Sequence, residues 1–139
     1  VPPYMVATTL QAVIAQRLVR VNCDVCSTPH ALTDMEYNWL VAFMGEEAAQ
    51  QFGGQQRGVG CPSCGNTGYY GRTAVYEMFE MDSELIQLAA ARDLATFSDK
   101  AYKKMKNATL IDHALQLVKL GTTTVSEAMK VSKMLEGQD

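Results

Sequence analysis

Cys61-Pro62-Ser63-Cys64-Gly65-Asn66-Thr67-Gly68, read together with Cys23-Asp24-Val25-Cys26 upstream, decides how this chain is understood. Two residues between paired cysteines put both sulfurs on one backbone knuckle. Two such knuckles brought together offer a closed S4 shell of the kind that holds structural zinc. The set Cys23, Cys26, Cys61 and Cys64 leaves no ligand position for a reactive water. Gly65 gives the second knuckle backbone freedom where amides turn toward sulfur. Two other readings stand beside the metal one, redox dithiols and disulfides. A redox pair of this spacing opens a helix after a strand, whereas Pro29, Pro62 and the neighbouring glycines place these pairs in turns. His30 is close enough in sequence to replace a ligand, but with four thiols available it reads as a surface imidazole.

The 139 residues, 47% of them hydrophobic, suit one domain or two very small ones with a modest core. A net charge of -3 argues against a general nucleic-acid binder, because neutralising phosphates needs clustered cations in excess; protein partners are expected instead. No apolar run approaches the roughly 20 residues that span a bilayer, and Val1-Pro2-Pro3-Tyr4 is not a signal peptide. Cysteines at ligand spacing fit a reducing, cytoplasmic setting. The opening also lacks an initiator methionine, and reads as a piece of something longer.

Val6, Leu10, Val13, Ile14 and Leu18 follow helical spacing and predict one helix from Pro3 to Arg20, with Arg17 near the face of Leu10. Thr33-x-x-Glu36 is a capping-box signature for a helix through Met44, ended by Gly45; a further helical turn over Glu46 to Phe52 leads into a loop over Gly53 to Gly58. Tyr37 and Trp39 are expected as the small core of this lobe. A glycine-rich turn then leads to a strand from Arg72 to Met81, with Val75 and Phe79 on one face. That turn has no Lys-Ser or Lys-Thr ending, so it is not a phosphate loop. Helices are predicted from Asp82, from Thr96, from Thr109 and from Thr124, where Thr124-x-x-Glu127 repeats the capping pattern. Lysines 100, 103, 104 and 106 read as a solvated face, with docking onto an acidic surface as the alternative. His113 reads as a packed histidine, and Gly137-Gln138-Asp139 as a fraying end. The fold class is therefore mainly α with a small β element: a zinc-bound tetracysteine lobe followed by a helical bundle.

Gln16-Arg17-Leu18-Val19-Arg20, the two cysteine pairs, Gly65-Asn66-Thr67-Gly68-Tyr69, Gly71-Arg72-Thr73-Ala74-Val75-Tyr76-Glu77 and Gly121-Thr122-Thr123-Thr124-Val125-Ser126-Glu127 resemble, in that order, the secretion and pilus-assembly ATPases. The chain is similar to the carboxy-terminal part of type II secretion and type IV pilus extension ATPases. The tetracysteine module separates these from the retraction ATPases. One departure is a longer segment between the cysteine pairs.

The resemblance implies residues 1–22 as the last helix of a RecA-like α/β motor domain, 23–81 as the zinc lobe with its following strand, and 82–139 as a helical subdomain. It implies a hexameric cytoplasmic motor peripheral to the inner membrane, partnered by itself and by a membrane platform protein, feeding pilin or pseudopilin into a fibre. ATP and Mg2+ belong to residues upstream, because this chain has no phosphate loop and is not expected to be an enzyme alone. Cys23, Cys26, Cys61 and Cys64 become the zinc ligands. Arg72 matches an arginine near a nucleotide site or subunit interface, unless it merely pairs with Glu77, and Arg17 matches one that supports the same region. A glycine tail after Cys64 is also similar to the repeats of Hsp40 co-chaperones, but that pattern needs four repeats. A nucleic-acid-binding zinc ribbon would need a basic, aromatic surface by the metal, and none is present.

Overall fold

A computed structural model of the chain describes residues 1–136. The predicted fraying of Gly137-Gln138-Asp139 lies outside these residues. The fold is mainly α with two small β ribbons. In chain order the elements are α1 (Pro3–Thr9), β1 (Ala12–Asn22), β2 (Ser27–His30), α2 (Asp34–Met44), α3 (Glu46–Ala49), β3 (Gln55–Gly58), β4 (Tyr69–Glu80), α4 (Ser83–Ala90), α5 (Leu94–Lys104), α6 (Leu110–Lys119) and α7 (Val125–Glu136). β1 pairs with β4, and β2 with β3.

The single helix predicted over Pro3 to Arg20 is corrected. Only Pro3–Thr9 is helical, and Ala12–Asn22 is a strand. Val13, Ile14, Val19 and Val21 are β-branched and prefer extended backbone, and a partner strand distant in sequence, Tyr69–Glu80, overrides a spacing that fitted both periods. The assignment of Arg17 to a helix face falls with it; Arg17 is a half-buried residue of β1.

One compact unit comprises residues 1–16 and 76–110. Here α1 packs on α4 and α4 on α5, over Ala7, Leu85, Ala101, Met105 and Leu110. Phe79 meets Phe97 edge to face at 6.0 Å. Asp82 caps α4 as expected, accepting from Leu85 N–H at 2.9 Å. The cap of α5 is Asp93, not Thr96: the aspartate accepts from the Thr96 N–H at 3.2 Å, and its carboxylate is the stronger acceptor. Lys104 pairs with Asp82, Lys100 with Glu84 and Lys103 with Asp99, so much of the predicted lysine face is neutralised within the chain. Glu77 accepts from Leu110 N–H at 2.9 Å.

The second unit comprises residues 17–75 and 111–139. The capping box at α2 forms in full: Glu36 N–H donates to the Thr33 hydroxyl, and Thr33 N–H to the Glu36 carboxylate. The core takes Leu40, Ala49, Phe52, Val19, Val75, Leu115, Val118, Val125 and Val131. Tyr37 and Trp39 are only half-buried, so Leu40 takes the central place expected of them. The loop predicted over Gly53 to Gly58 is corrected at its second half. Gln55–Gly58 forms β3, antiparallel to β2 in the register Ser27 to Gly58 and His30 to Gln55.

Candidate metal centre

The first knuckle is the turn that carries β1 into β2. The second starts at Cys61 and contains a short 3-10 turn, Pro62–Cys64, closed by Gly65 and Asn66, both in the left-handed region. Asn is one of the few side chains that tolerates this conformation, and Asn66 N–H donates to the Cys61 carbonyl at 2.9 Å. The β2–β3 ribbon brings the knuckles together: Val59 N–H donates to the Cys26 carbonyl at 3.2 Å, and Cys23 N–H to the Gly68 carbonyl at 3.0 Å.

All four Sγ atoms lie within 4.8 Å of one another. The Cys23–Cys61, Cys26–Cys64 and Cys61–Cys64 separations are 3.8, 3.9 and 3.7 Å. A regular tetrahedron with zinc–sulfur bonds of about 2.3 Å has edges of about 3.8 Å. A disulfide needs about 2.05 Å, so the spacing matches shared coordination and not cross-linking. Cys23, Cys26 and Cys64 are buried, and backbone N–H groups point at sulfur: Gly60 to Cys26 at 3.4 Å, Cys61 to Cys64 at 3.3 Å and Gly68 to Cys64 at 3.2 Å. Burial pushes the Cys26 thiol up to about 11 against the pull of Gly60 N–H. At Cys64 the same burial is outweighed by the N–H groups of Cys61 and Gly68, which bring it down to about 6. The four-sulfur donor set and its three separations of 3.7–3.9 Å fit a tetrahedral zinc. His30 is exposed on β2 and is no part of the cluster.

Asn22, Gln55 and Gly58, which the motif reading passed over, hold the site in place. Buried Asn22 donates through Nδ2 to the carbonyls of Gln56 and Gly121, both at 3.0 Å, and its own N–H reaches the Thr122 carbonyl at 2.8 Å. Buried Gln55 donates to Glu36 and accepts from Val125 N–H, each at 3.0 Å, joining the ribbon to α2 and to the start of α7. Gly58 and Gly68 touch backbone to backbone; a Cβ on either would collide with the other's carbonyl. Asn22 beside Cys23 and the Gly53-Gly54-Gln55-Gln56 run were the available signals.

Arg20, Thr67, Tyr69, Gly71 and Arg72 line an open cleft of about 340 Å³. Arg20 is committed within it. Its guanidinium lies 4.0 Å above the Tyr69 ring and pairs with buried Glu127 at 2.9 Å, while the Tyr69 hydroxyl meets Thr124 at 2.8 Å. Arg72 is exposed.

Four clustered sulfurs on two turns, three of the cysteines buried and Cys61 half-buried, set in an α+β frame, form a group that could hold a metal ion. The chain belongs to the family described as Type II/IV secretion system protein, whose profile matches residues 1–130. It is 32% identical over 136 residues to the Type II secretion system ATPase E of Vibrio cholerae, covering 96% of this chain and 25% of that protein. It is 31% identical over 132 residues to the Type IV pilus assembly ATPase TfpB of Acinetobacter baylyi, covering 94% and 22%. With the Type IV pilus assembly ATPase PilB of Thermus thermophilus it shares 30% over 134 residues, covering 93% and 14%. The chain thus spans a quarter or less of the length of these relatives. No helix among the described residues is long and apolar enough to cross a membrane.

Proposed function

We propose that this chain is the zinc-binding module of an extension-type secretion or pilus-assembly ATPase. The observation that carries the reading is the cluster of four sulfurs, all within 4.8 Å of one another and three of their separations 3.7–3.9 Å, in a chain that matches the family over residues 1–130. Cys23, Cys26, Cys61 and Cys64 hold the metal, which supplies a closed cross-link and no open position for water. Asn22 and Gln55 tie that cross-link to β3, α2 and the first turn of α7. The whole protein hydrolyses ATP with Mg2+ through residues outside this span. It works as a cytoplasmic hexamer against a membrane platform protein and drives pilin or pseudopilin into a fibre. Arg72 offers a fixed positive charge to a nucleotide phosphate or a neighbouring subunit, and Arg17 supports that region.

The test is made on the whole protein by measuring zinc content and ATP turnover together. One zinc per chain is expected, lost in Cys61→Ser. Arg72→Ala is expected to keep its zinc while turnover falls on the order of 10²-fold. Absence of zinc with reversible thiol oxidation would return the cysteine pairs to the redox reading, and unchanged turnover in Arg72→Ala would remove that residue's role.

A further inference from the structure

α2 buries one side and leaves another uncovered. Glu36 and Leu40, one turn apart, face inward, with Glu36 bonded to Gln55. Met35, Trp39 and Phe43 recur at four-residue spacing and form a separate stripe. Met35 is 69% and Phe43 42% exposed, and Trp39 is half-buried with its ring stacked on Phe43 at 5.7 Å and 5° between planes. Met and aromatic side chains are the types that interfaces concentrate, and isolated exposure does not explain three of them in register.

The surroundings select the occupant. Residues 31–54 contain Asp34, Glu36, Glu46 and Glu47 and no lysine or arginine. Glu36 is buried and bonded, which leaves Asp34 at one end of the stripe and exposed Glu46 and Glu47 beyond the other, where the helix dipole is also negative. These carboxylates disfavour anionic lipid and nucleic-acid phosphate at this end of α2. Lys100, Lys103 and Lys104 of α5 are already paired with Glu84, Asp99 and Asp82, so these three lysines offer a second copy no free charge.

We infer that the Met35–Trp39–Phe43 ridge of α2 docks a basic, amphipathic segment of another polypeptide, whose apolar face covers the ridge while its cations meet Asp34, Glu46 and Glu47. The inference goes beyond the motor assignment and does not rest on it. The eight helical steps from Met35 to Phe43 make a ridge about 12 Å long, enough for about two turns of a partner helix.

Trp39 is the single tryptophan of the chain, so its emission reports on the ridge itself. The zinc-loaded protein is titrated with a synthetic helix of roughly four turns built from leucine on one face and lysine on the other. A saturable blue shift is expected, weakened by salt and absent when glutamate replaces the lysines. Met35→Ser with Phe43→Ser, and separately Glu46→Lys with Glu47→Lys, is expected to weaken binding about tenfold or more, with zinc content and helicity unchanged because these side chains lie outside the core. The proposal is overturned by no shift, by an equal shift with the glutamate peptide, or by affinity that survives both variants. It is overturned equally if lipid vesicles alone shift the emission, or if the protein without peptide forms a dimer that the same variants disrupt.

Discussion

Glu127 is 4% exposed yet ionised, and its partners explain how. It accepts from the Arg20 backbone N–H at 2.9 Å, from Arg20 Nε and Nη2 at 3.0 and 2.9 Å, and from Lys130 Nζ at 3.0 Å. Burial alone would raise its pKa; these donors outweigh burial and hold the carboxyl below its ordinary value. A depressed folded-state pKa contributes stability that is complete above the unfolded-state value and is lost as pH falls through the folded one. Glu127→Gln is therefore expected to cost about 2 kcal/mol near neutral pH, with the gap to the parent closing as acid protonates the parent carboxyl. Urea unfolding across a pH series checks this, and a gap that does not vary with pH contradicts it. The sequence disclosed half of this arrangement. Thr124-x-x-Glu127 reads as a capping box, and Thr124 does accept from Glu127 N–H at 3.3 Å, but the glutamate side chain turns to a partner 107 residues away that no local pattern reveals.

Among the elements, those fixed by their own ends were legible and those fixed by distant partners were not. α2 and α4 start where Thr33 and Asp82 place an oxygen for the first free N–H groups, which is a property of a few consecutive residues. β1 was hidden because Val13, Ile14 and Leu18 fit a helix as well as a strand until β4 is present to pair with. β3 was hidden by composition, since Gly53-Gly54-Gln55-Gln56-Arg57-Gly58 looks like loop; its strand character comes from β2, and its need for glycine from Gly68. Gly58→Ala must push the two backbones apart at the point where β3 leads into the second knuckle. The expected outcome is weaker zinc retention in a chelator competition, by about tenfold or more if 1.4 kcal/mol of strain reaches the site, whereas Gly54→Ala, with open space around it, leaves retention unchanged. Equal retention in both variants would separate the glycine contact from the metal.

At the scale of the whole molecule, the cluster of four cysteines was readable because two-residue spacings are local, while the body that supports it is not. Asn22, Gln55 and the segment from Gly121 to Val125 come from three separate parts of the sequence and are bonded together at the ribbon beside the sulfurs. That convergence decides what metal removal does. The unit of residues 17–75 and 111–139 contains the cysteines and these links, whereas the unit of residues 1–16 and 76–110 has its own apolar contacts at Leu85, Phe79, Phe97 and Met105 and its own caps at Asp82 and Asp93. Stripping zinc leaves four close sulfurs with no cross-link and frees β2, β3 and both knuckles, so hydrogen exchange is expected to quicken first at the amides of Gly60, Cys61 and Gly68 that face sulfur. Exchange should quicken next at Val125, whose N–H depends on Gln55. Amides of α4 and α5 are expected to keep their protection in the same sample. Uniform loss across both units would make zinc a condition of the entire fold, and no loss near the sulfurs would mean that the polar links hold the ribbon without the metal.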